Sequence, residues 1–469
     1  MKPFRRDVAI VLIANLLSKP LWLIADNMAQ NRIGHEAYGL IGALLGLGQW
    51  AIAVADWGLY ALVTREMARS ITSYGTTGSL TFTLKLILTL LAGVGFAVLG
   101  WLLGYRGQAF MWLLALLAYQ LALSYLQYFR AFFQGNQQFR IDALLSAAEK
   151  VIVLILLAAF WSRLEGSTYV GILLTAGVVT AVGTGIGVWR GYGALKLQLR
   201  PAALWAIFRQ MTPFALMGYV TAFNERLNQI LLERWVGAYA NGLYWGAYRW
   251  FSAAMMYLWI VLPVFFARFA KLGKVRGSEL WRTFVWGQLL AALPLIGVAG
   301  IFLGAPRVFL ILFTHSSPTE IAQMATILQV LALPLIVNAI TAIYSTYLTA
   351  VGYEWIAFWL MVGASGVNFL ACLPLIPTLK GVGAAFALGA SYLFFGIGFV
   401  WAFRKKAPVP TPTSVLLRLG GLALLYGGSL FCIGQVGQIE LTLGTAPVIF
   451  LALVWLLGIH KQWKYANRY

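Results

Sequence analysis

The sequence contains little charge and few of the residues that soluble enzymes use for chemistry. Only 10% of its 469 residues are charged, 61% are hydrophobic and the mean hydropathy is +0.81, which excludes an ordinary soluble globule. The two cysteines, Cys372 and Cys432, lie in apolar runs, which excludes a disulfide framework. The three histidines, His35, His315 and His460, show no paired ligand spacing, so the sequence indicates neither a metal site nor a cofactor.

Long apolar runs are what the sequence has in abundance. They recur at a length of about twenty residues, which is the length of helix that crosses a bilayer. They are continuous and rich in Leu, Ala and Gly, so the predicted fold class is an all-α polytopic membrane protein. The predicted spans number fourteen and lie near residues 8–28, 38–63, 80–103, 109–133, 142–162, 168–189, 204–231, 240–267, 282–303, 321–350, 355–377, 381–403, 415–434 and 445–460. We predict that the first is a retained helix, because no convincing small-residue cleavage site follows MKPFRR.

Positive charge is distributed unevenly over the loops between these spans. Cytoplasmic loops retain Lys and Arg, whereas exported loops are depleted of them. With the N-terminus inside, 23 of the 34 cations fall on inner segments and seven on outer segments, and the four within spans are Lys19, Lys85, Lys150 and Arg249. The charge bias therefore predicts that both termini are cytoplasmic, and it accounts for the net charge of +20 without nucleic acid. The loop around Glu354 lacks a cation and supports this orientation least.

Two pairs of similar segments indicate an internal repeat. RIGHEAYGL begins at Arg32 and RWVGAYANGL at Arg234, each just before an even-numbered span. The sixth span ends in GIGVW and the twelfth in GIGFVW, at a comparable offset of about two hundred residues. We therefore predict a six-helix lobe over 1–200, a second over 201–405, and a linker with two extra helices over 406–469. Transporters with such repeats commonly bind substrate between the lobes at mid-depth, so we expect a central cavity.

Four segments carry a family resemblance. They are RIGHEAYGL after the first span, ADWGLYALVTREMAR (55–69), FRAFFQGNQQF (129–139) and VNFLACLPLIPTLKGVGAAFA (367–387). In order and spacing they resemble the multidrug/oligosaccharidyl-lipid/polysaccharide (MOP) superfamily, and within it the polysaccharide-repeat flippases of the Wzx type. The resemblance implies a flippase of the bacterial inner membrane that moves an undecaprenyl-pyrophosphate-linked oligosaccharide, such as an O-antigen unit, to the outer leaflet by alternating access. Members often carry Arg-Ile-Asp in the seventh span, where this chain reads RLN from Arg226, so the ion-coupling role of that aspartate is not carried over.

Polar side chains within the spans mark the predicted substrate pathway, because an ionisable group in a bilayer needs a partner or a wet cavity. Lys19 and Arg249 lie near mid-depth, roughly 16 Å from the inner and roughly 14 Å from the outer end of their helices. Cations at this depth suit a phosphate or pyrophosphate head group. Lys85, near an inner helix end, is expected to snorkel instead. The predicted cavity residues are Lys19, Arg249, Asn15, Trp245, Gln49 and Lys150, and the predicted gate or ion-coupling residues are Asp26, Arg226, Glu225 and Asp56.

Two of these predictions concern specific pairs. Asp26 and Arg226 both lie near the predicted outer mouth, so we predict that they form an outer gate pair. Lys150 directly follows Glu149, which leaves two interpretations open, a local ion pair and a position on the cavity wall.

The sequence leaves other functions as alternatives. A lipid II flippase is the closer alternative, and the sequence leaves it open. A drug/cation antiporter of the same superfamily would present acidic or apolar residues to its substrate, which Lys19 and Arg249 disfavour. A membrane glycosyl polymerase is disfavoured because the longest predicted outer loop, about residues 304–320, is short, so no enzyme activity is predicted. The expected partners are the lipid-linked oligosaccharide and the bilayer, with H⁺ or Na⁺ as a coupling ion and other polysaccharide-assembly proteins as further candidates.

Overall fold

The computed structural model describes residues 23, 25–69, 74–136, 138–272, 277–311, 313–436 and 439–466. Over these residues the secondary structure is helical, with short turns between helices and no strand. The predicted all-α fold class is therefore confirmed. The chain packs as two compact units that divide between Glu233 and Arg234. The lobe boundaries at 200 and 405 were predicted from the internal repeat, and they stay a prediction.

The first unit is built from membrane-length helices around a shared apolar core. Its described part comprises a helical stretch over 25–33, α1 (His35–Asp56), α2 (Leu59–Arg69), α3 (Tyr74–Leu102), α4 (Gly107–Gly135), α5 (Phe139–Ala159), a short 3₁₀ helix (Trp161–Arg163), α6 (Gly166–Tyr192) and α7 (Pro201–Trp235). Leu59, Leu84 and Phe132 are buried in one cluster, which α2, α3 and α4 share. The apolar faces of these three helices therefore hold the polar side chains described below in fixed positions.

A sharp break separates α1 from α2 within the predicted second span. Trp57 adopts the left-handed backbone conformation, with φ 43° and ψ 32°, and Gly58 follows with φ 78°. L-residues rarely adopt this conformation. Trp57 is held there because its indole stacks on Phe208 of α7, with ring centroids 4.9 Å apart, and its Nε1 donates to Thr212 Oγ1 at 3.3 Å. The second span therefore ends at the break, and the residues beyond it form a separate helix.

The second unit packs around an aromatic core. Its described part comprises α8 (Ala238–Leu272), α9 (Ser278–Gly304), a 3₁₀ helix (Pro306–Leu310), α10 (Pro318–Ala350), α11 (Glu354–Lys406), α12 (Thr413–Gln435), α13 (Ile439–Leu456) and α14 (Ile459–Ala466). The Phe284 ring lies 4.8 Å from the Tyr344 ring and 4.5 Å from the Phe403 ring, measured between centroids. These contacts tie α9, α10 and α11 together.

Helix α11 contains two predicted spans. It is 53 residues long, and Lys380 within it has φ 52° and ψ −128°, which no helix allows. The predicted spans 355–377 and 381–403 lie on either side of this residue. The kink therefore divides α11 into two segments, each long enough to cross a bilayer.

Helix α12 packs on α9 through glycines. A Cβ added at Gly304 would lie 2.5 Å from the Leu430 carbonyl oxygen of α12, so only a glycine permits this approach. Gly300, one turn earlier, lies against the Tyr426 ring. Ile459 of α14 is buried in the same core. Small residues allow membrane helices to approach closely in this way.

Ten helices among the described residues are long and apolar enough to cross a membrane, compared with the fourteen predicted spans. Three features account for the difference. The kinked α11 is counted once although it holds two predicted spans. Helices α5 and α7 match the predicted fifth and seventh spans but are not among the ten, because α5 carries Asp142, Glu149 and Lys150 within its 21 residues and α7 is less apolar. The predicted first span, 8–28, lies largely outside the described residues.

Candidate functional site

Helices α1 and α7 meet through a contact between two predicted site residues. Arg226 Nε donates to Gln49 Oε1 at 2.6 Å, and Arg226 Nη1 lies 3.2 Å from Gln229 Oε1. Beside this contact, Trp50 Nε1 donates to the Ala222 carbonyl oxygen at 3.1 Å. The predicted gate residue therefore touches the predicted cavity residue, and the two amide oxygens accept hydrogen bonds from its guanidinium.

Asp26 lies in a buried cluster of phenols. Its Oδ1 accepts hydrogen bonds from Tyr38 and Tyr169, the latter at 2.7 Å. The two tyrosine rings are 5.7 Å apart, and 7% of Asp26 is exposed. These phenols provide the carboxylate with donors inside the first unit. The predicted gate pair of Asp26 with Arg226 stays a prediction.

Lys150 lies beside the acid that precedes it. Its Nζ is 3.7 Å from Glu149 Oε2, and Tyr119 donates to Glu149 Oε1 at 2.9 Å. Glu149 is buried, whereas 28% of the Lys150 side chain is exposed. The geometry thus contains the local ion pair, while a place for Lys150 on the cavity wall stays a prediction.

Lys85 does not snorkel, contrary to the prediction. It is fully buried, its Nζ lies 3.8 Å from Asp56 Oδ1, and it donates to the Ala55 carbonyl oxygen at 3.2 Å and to Ser124 Oγ. The ammonium also lies 5.5 Å from the centre of the Tyr125 ring. The physical reason for the error is that three acceptors around a buried ammonium remove the need to reach water. Asp56, a predicted ion-coupling residue, is thereby placed beside a cation that sequence reasoning had set aside.

Arg249 is buried in the second unit, with 5% of the residue exposed. Its Nε lies 3.5 Å from the Trp245 carbonyl oxygen one turn earlier, and its guanidinium is 6.0 Å from the centre of the Phe313 ring. The side chain therefore runs back towards the start of α8, as helical side chains do. Its charged end lies about one turn nearer the predicted outer end than its Cα. Trp245, a predicted cavity residue, packs against Tyr248 with ring centroids 6.1 Å apart.

A polar clasp joins α2, α4 and α5 and consists of Tyr60, Arg130, Gln134 and Asp142. Arg130 Nε lies 2.7 Å from Asp142 Oδ1, and Gln134 Nε2 donates to Asp142 Oδ2 at 2.9 Å. Tyr60 donates to Gln134 Oε1. Sequence reasoning noted FRAFFQGNQQF only as a family segment and missed Asp142. The signal was the acid in the first turn of α5, directly after a segment that carries a cation.

The remaining candidate residues are placed as follows. Glu225 precedes Arg226 on α7 and is half-buried. Asn15 and Lys19 lie outside the described residues, so their part in a cavity stays a prediction. Among the residues that the structure describes, no group of three His, Cys, Asp or Glu side chains could hold a metal ion.

The family follows from a match to residues 4–272, more than half of the chain, by a family model described as polysaccharide biosynthesis protein. The chain belongs to this polysaccharide biosynthesis family. The matched region contains all of the first unit's described helices and the whole of α8. No curated protein matches the chain.

Several solved structures share the fold of this polysaccharide biosynthesis family member. The lipid II flippase MurJ in an inward closed conformation has a TM-score of 0.68 and 13% identity, with 96% of this chain and 98% of that chain covered. An inward-facing multidrug resistance MATE transporter has a TM-score of 0.67 and 15% identity, with 84% and 98% covered. A MOP transporter from Pyrococcus furiosus, described as having a binding pocket of reverse polarity, has a TM-score of 0.55 and 15% identity, with 86% and 96% covered.

These likenesses show the fold of MOP-superfamily transporters. The predicted resemblance to this superfamily and to its polysaccharide branch is therefore confirmed, and the polysaccharide biosynthesis family member is a multi-pass membrane protein.

Proposed function

We propose that the protein is a flippase that moves an undecaprenyl-pyrophosphate-linked oligosaccharide from the cytoplasmic to the outer leaflet of a bacterial inner membrane by alternating access. One observation carries the proposal: a polysaccharide biosynthesis family match over 4–272 on a chain with a transporter fold. A transporter that serves polysaccharide assembly needs a saccharide cargo on a lipid carrier, because the sugars are joined to that carrier at the membrane. The protein acts as a transporter and performs no chemistry on the sugar.

Cations within the helices support an anionic cargo. Arg249 is buried in the second unit, and Arg226 of the first unit is held by the neutral amides of Gln49 and Gln229. Lys19 is expected to add a third charge. Arg and Lys provide both charge and hydrogen-bond donors for phosphate oxygens. A cationic drug would be repelled by the same groups, which disfavours the antiporter alternative.

The test is to delete the gene and identify by mass spectrometry the lipid-linked precursor that accumulates. The wild-type protein should restore export, whereas Arg249→Glu and Lys19→Glu should abolish it while the protein stays inserted, because the carboxylate repels the head group. Arg307→Glu is the matched control, since Arg307 is exposed and lies outside the proposed pathway. Wild-type export by Arg249→Glu would remove that residue from the site. Accumulation of lipid II instead would favour the lipid II flippase.

The membrane potential is the proposed energy source for the outward step. A pyrophosphate head with about two negative charges gains ~4.6 kcal/mol when it crosses 100 mV outward, since each charge contributes ~2.3 kcal/mol. This gain is kept only if the empty cationic site returns to the inward-facing state without carrying a charge across the membrane that equals the charge of the head group. In proteoliposomes, a potassium diffusion potential without pH or sodium gradients should therefore drive net flux. Equal flux at zero and at strongly negative potential would reject this source of energy.

A coupled proton or sodium ion is the proposed means of reset. The candidate carriers are Asp26, Asp56 and Glu225, because the family aspartate is absent at Asn228. Asp56 is the best placed of them, since its side chain is 23% exposed and lies 3.8 Å from the buried Lys85 ammonium. Asp56→Asn should remove the dependence of export on an imposed ion gradient. Retained gradient dependence would exclude Asp56 as the carrier.

A further inference from the structure

The break between α1 and α2 has the features of a cation site. Helix α1 ends at Asp56, and the left-handed conformation of Trp57 turns the chain away from the helix axis. The C-terminal end of a helix carries partial negative charge, and broken membrane helices bind small cations at such ends. The Asp56 carboxylate lies at this end, so its charge and the helix dipole favour a positive ion at the same place.

Three oxygen atoms around the break provide the ligands that a small cation needs. They are Asp56 Oδ1, the carbonyl oxygen of Ala55 and the hydroxyl oxygen of Ser124, which α4 contributes. Hard cations bind to oxygen ligands such as carboxylates and backbone carbonyls. Ala55 and Ser124 are buried, with 0% and 1% of each residue exposed. The three oxygens face one enclosed point, because the same nitrogen contacts all of them.

That point is occupied by a cation of the chain itself. Lys85 of α3 is fully buried, and its Nζ lies 3.8 Å from Asp56 Oδ1 and 3.2 Å from the Ala55 carbonyl oxygen. The ammonium also lies over the Tyr125 ring, 5.5 Å from its centre. An ammonium carries the same single charge as a sodium ion and donates to the same oxygens. A sodium ion can therefore reach these oxygens only if the Lys85 side chain leaves.

Hydrogen-bond donors, and not oxygen atoms, face the Asp56 carboxylate from α2. The backbone N–H groups of Gly58 and Tyr60 at the start of this helix donate to it. N–H groups at the beginning of a helix carry partial positive charge, which attracts anions and repels metal ions. The carboxylate thus lies between an ammonium and a helix N-terminus, and neither of these two neighbours supplies a sodium ion with oxygen ligands.

A proton has none of these requirements, because it binds to a single oxygen atom and needs no shell of ligands. It adds to the Asp56 carboxylate, which becomes a neutral acid, while Lys85 keeps its own proton and the pair changes from neutral to a single positive charge. The Asp56 side chain is 23% exposed, so water that delivers the proton reaches it. The ammonium keeps the Ala55 and Ser124 oxygens as acceptors after this step. A proton can therefore bind and leave without displacing Lys85.

Other charged and titratable groups face the pair from the neighbouring helices. They are Tyr60 on α2, Tyr125 on α4, and the pair in the polar clasp, Arg130 on α4 and Asp142 on α5. The two charges of the clasp form an ion pair at 2.7 Å, so they offset each other. Helix α7 contributes Phe208, Met211 and Thr212 at the break, none of which ionises. Lys85 is therefore the charged group that decides what binds to Asp56.

We propose that Lys85 excludes sodium from the Asp56 site, so that the ion which resets the transporter is a proton. The inference rests on the proposed function, in which Asp56 is a candidate carrier of either ion. Lys85 acts as a tethered substitute for the sodium ion, and it thereby determines the ion specificity of the site. If Lys85 is removed, the same three oxygens become available to sodium.

Sodium binding tests the proposal without requiring transport. The purified protein is placed in phospholipid nanodiscs, and binding of radioactive sodium is measured by scintillation proximity, with choline chloride keeping the ionic strength constant. Wild type and Asp56→Asn should bind equally little sodium. Lys85→Ala empties the site, so it should bind sodium at least about tenfold more tightly than wild type. Sodium should also raise the unfolding temperature of Lys85→Ala, whereas choline should not.

Further variants make the binding test specific to the site. Lys85→Arg keeps the positive charge, so it should bind no more sodium than wild type. Lys85→Ala combined with Asp56→Asn is the matched control, because it has the same cavity but no carboxylate, and it should lose the sodium binding of the single variant. Lys85→Gln preserves much of the side chain and supplies an amide oxygen. It should also gain sodium binding, and it provides the same test if Lys85→Ala does not fold.

The outcomes separate the ion specificity from the proposed function. Sodium binding by wild type that Asp56→Asn removes would overturn the proposal. Failure of folded Lys85→Ala and Lys85→Gln to bind more sodium than the double variant would overturn it too. In proteoliposomes, wild-type export should respond to an imposed pH gradient and not to a sodium gradient. A response to neither gradient rejects the ion-coupled reset of the proposed function, whatever the site binds. A response to sodium that Asp56→Asn abolishes rejects the exclusion of sodium and leaves the flippase function intact.

Discussion

Removal of the buried Lys85 ammonium should destabilise the first unit strongly. Lys85 Nζ lies 3.8 Å from Asp56 Oδ1. At that separation and an effective dielectric constant of about 20, two unit charges attract by ~4 kcal/mol. Breaking a buried pair by removal of one partner costs about 3–5 kcal/mol, because the other charge stays buried. Since 23% of the Asp56 side chain is exposed, we expect Lys85→Met to lower the free energy of unfolding by about 3 kcal/mol.

The measurement is reversible unfolding of the purified protein in mixed micelles, with an increasing fraction of sodium dodecyl sulfate and tryptophan fluorescence as the signal. Arg65→Met is the matched control. Arg65 also faces an acid, Glu66, at 3.2 Å, but 44% of its side chain is exposed. An exposed pair contributes about 0–1 kcal/mol, so the control should remain within about 1 kcal/mol of wild type.

A double variant separates the charge from the packing. Lys85→Met with Asp56→Asn removes both charges, so it should be more stable than Lys85→Met alone by at least about 1 kcal/mol. Two results would refute the reasoning. One is that Lys85→Met unfolds at the same detergent fraction as wild type and Arg65→Met. The other is that the double variant is no more stable than the single one.

Two further predictions concern topology and helix packing. The first uses a Cys432→Ala background with one added cysteine and an impermeant external thiol reagent applied to intact cells. A cysteine near Ser316 should react, whereas a cysteine near Lys405 should be shielded. Reaction near Lys405 would reverse the predicted orientation. Gly304→Val should lower the free energy of unfolding well beyond Gly421→Val, because an added Cβ meets the α12 backbone at Gly304 and open space at Gly421. Equal losses in the same detergent titration would contradict the described packing.

The positions of the helices were predictable because each membrane span must satisfy its own backbone hydrogen bonds and must be apolar along its length. This requirement is local, so the spans can be identified from the hydropathy along the chain. The break at Trp57 was not predictable in this way, because hydropathy along the chain does not contain the contacts that hold Trp57 in its conformation. It depends on Phe208 and Thr212, which are about 150 residues away in the sequence.

The partners of polar side chains depend on how helices pack, and the sequence alone did not determine them. Lys85 could be placed by depth, but its acceptors come from α1 and α4, so its burial was missed. The predicted depth of Arg249 stays a prediction, and the direction of its side chain towards Phe313 was not considered. Helical periodicity assigns a residue to a face; it does not say which face of another helix lies opposite.

The glycine contact between α9 and α12 joins the last described helices to the core of the second unit. Gly304 and Leu430 meet backbone to backbone, and Ile459 of α14 is buried in the same core. A fluorophore, spin label or fused protein attached after α14 is therefore expected to report on the second unit. Single-molecule measurements of the transport cycle can accordingly use the C-terminus as a reporter, without a label inside the helices.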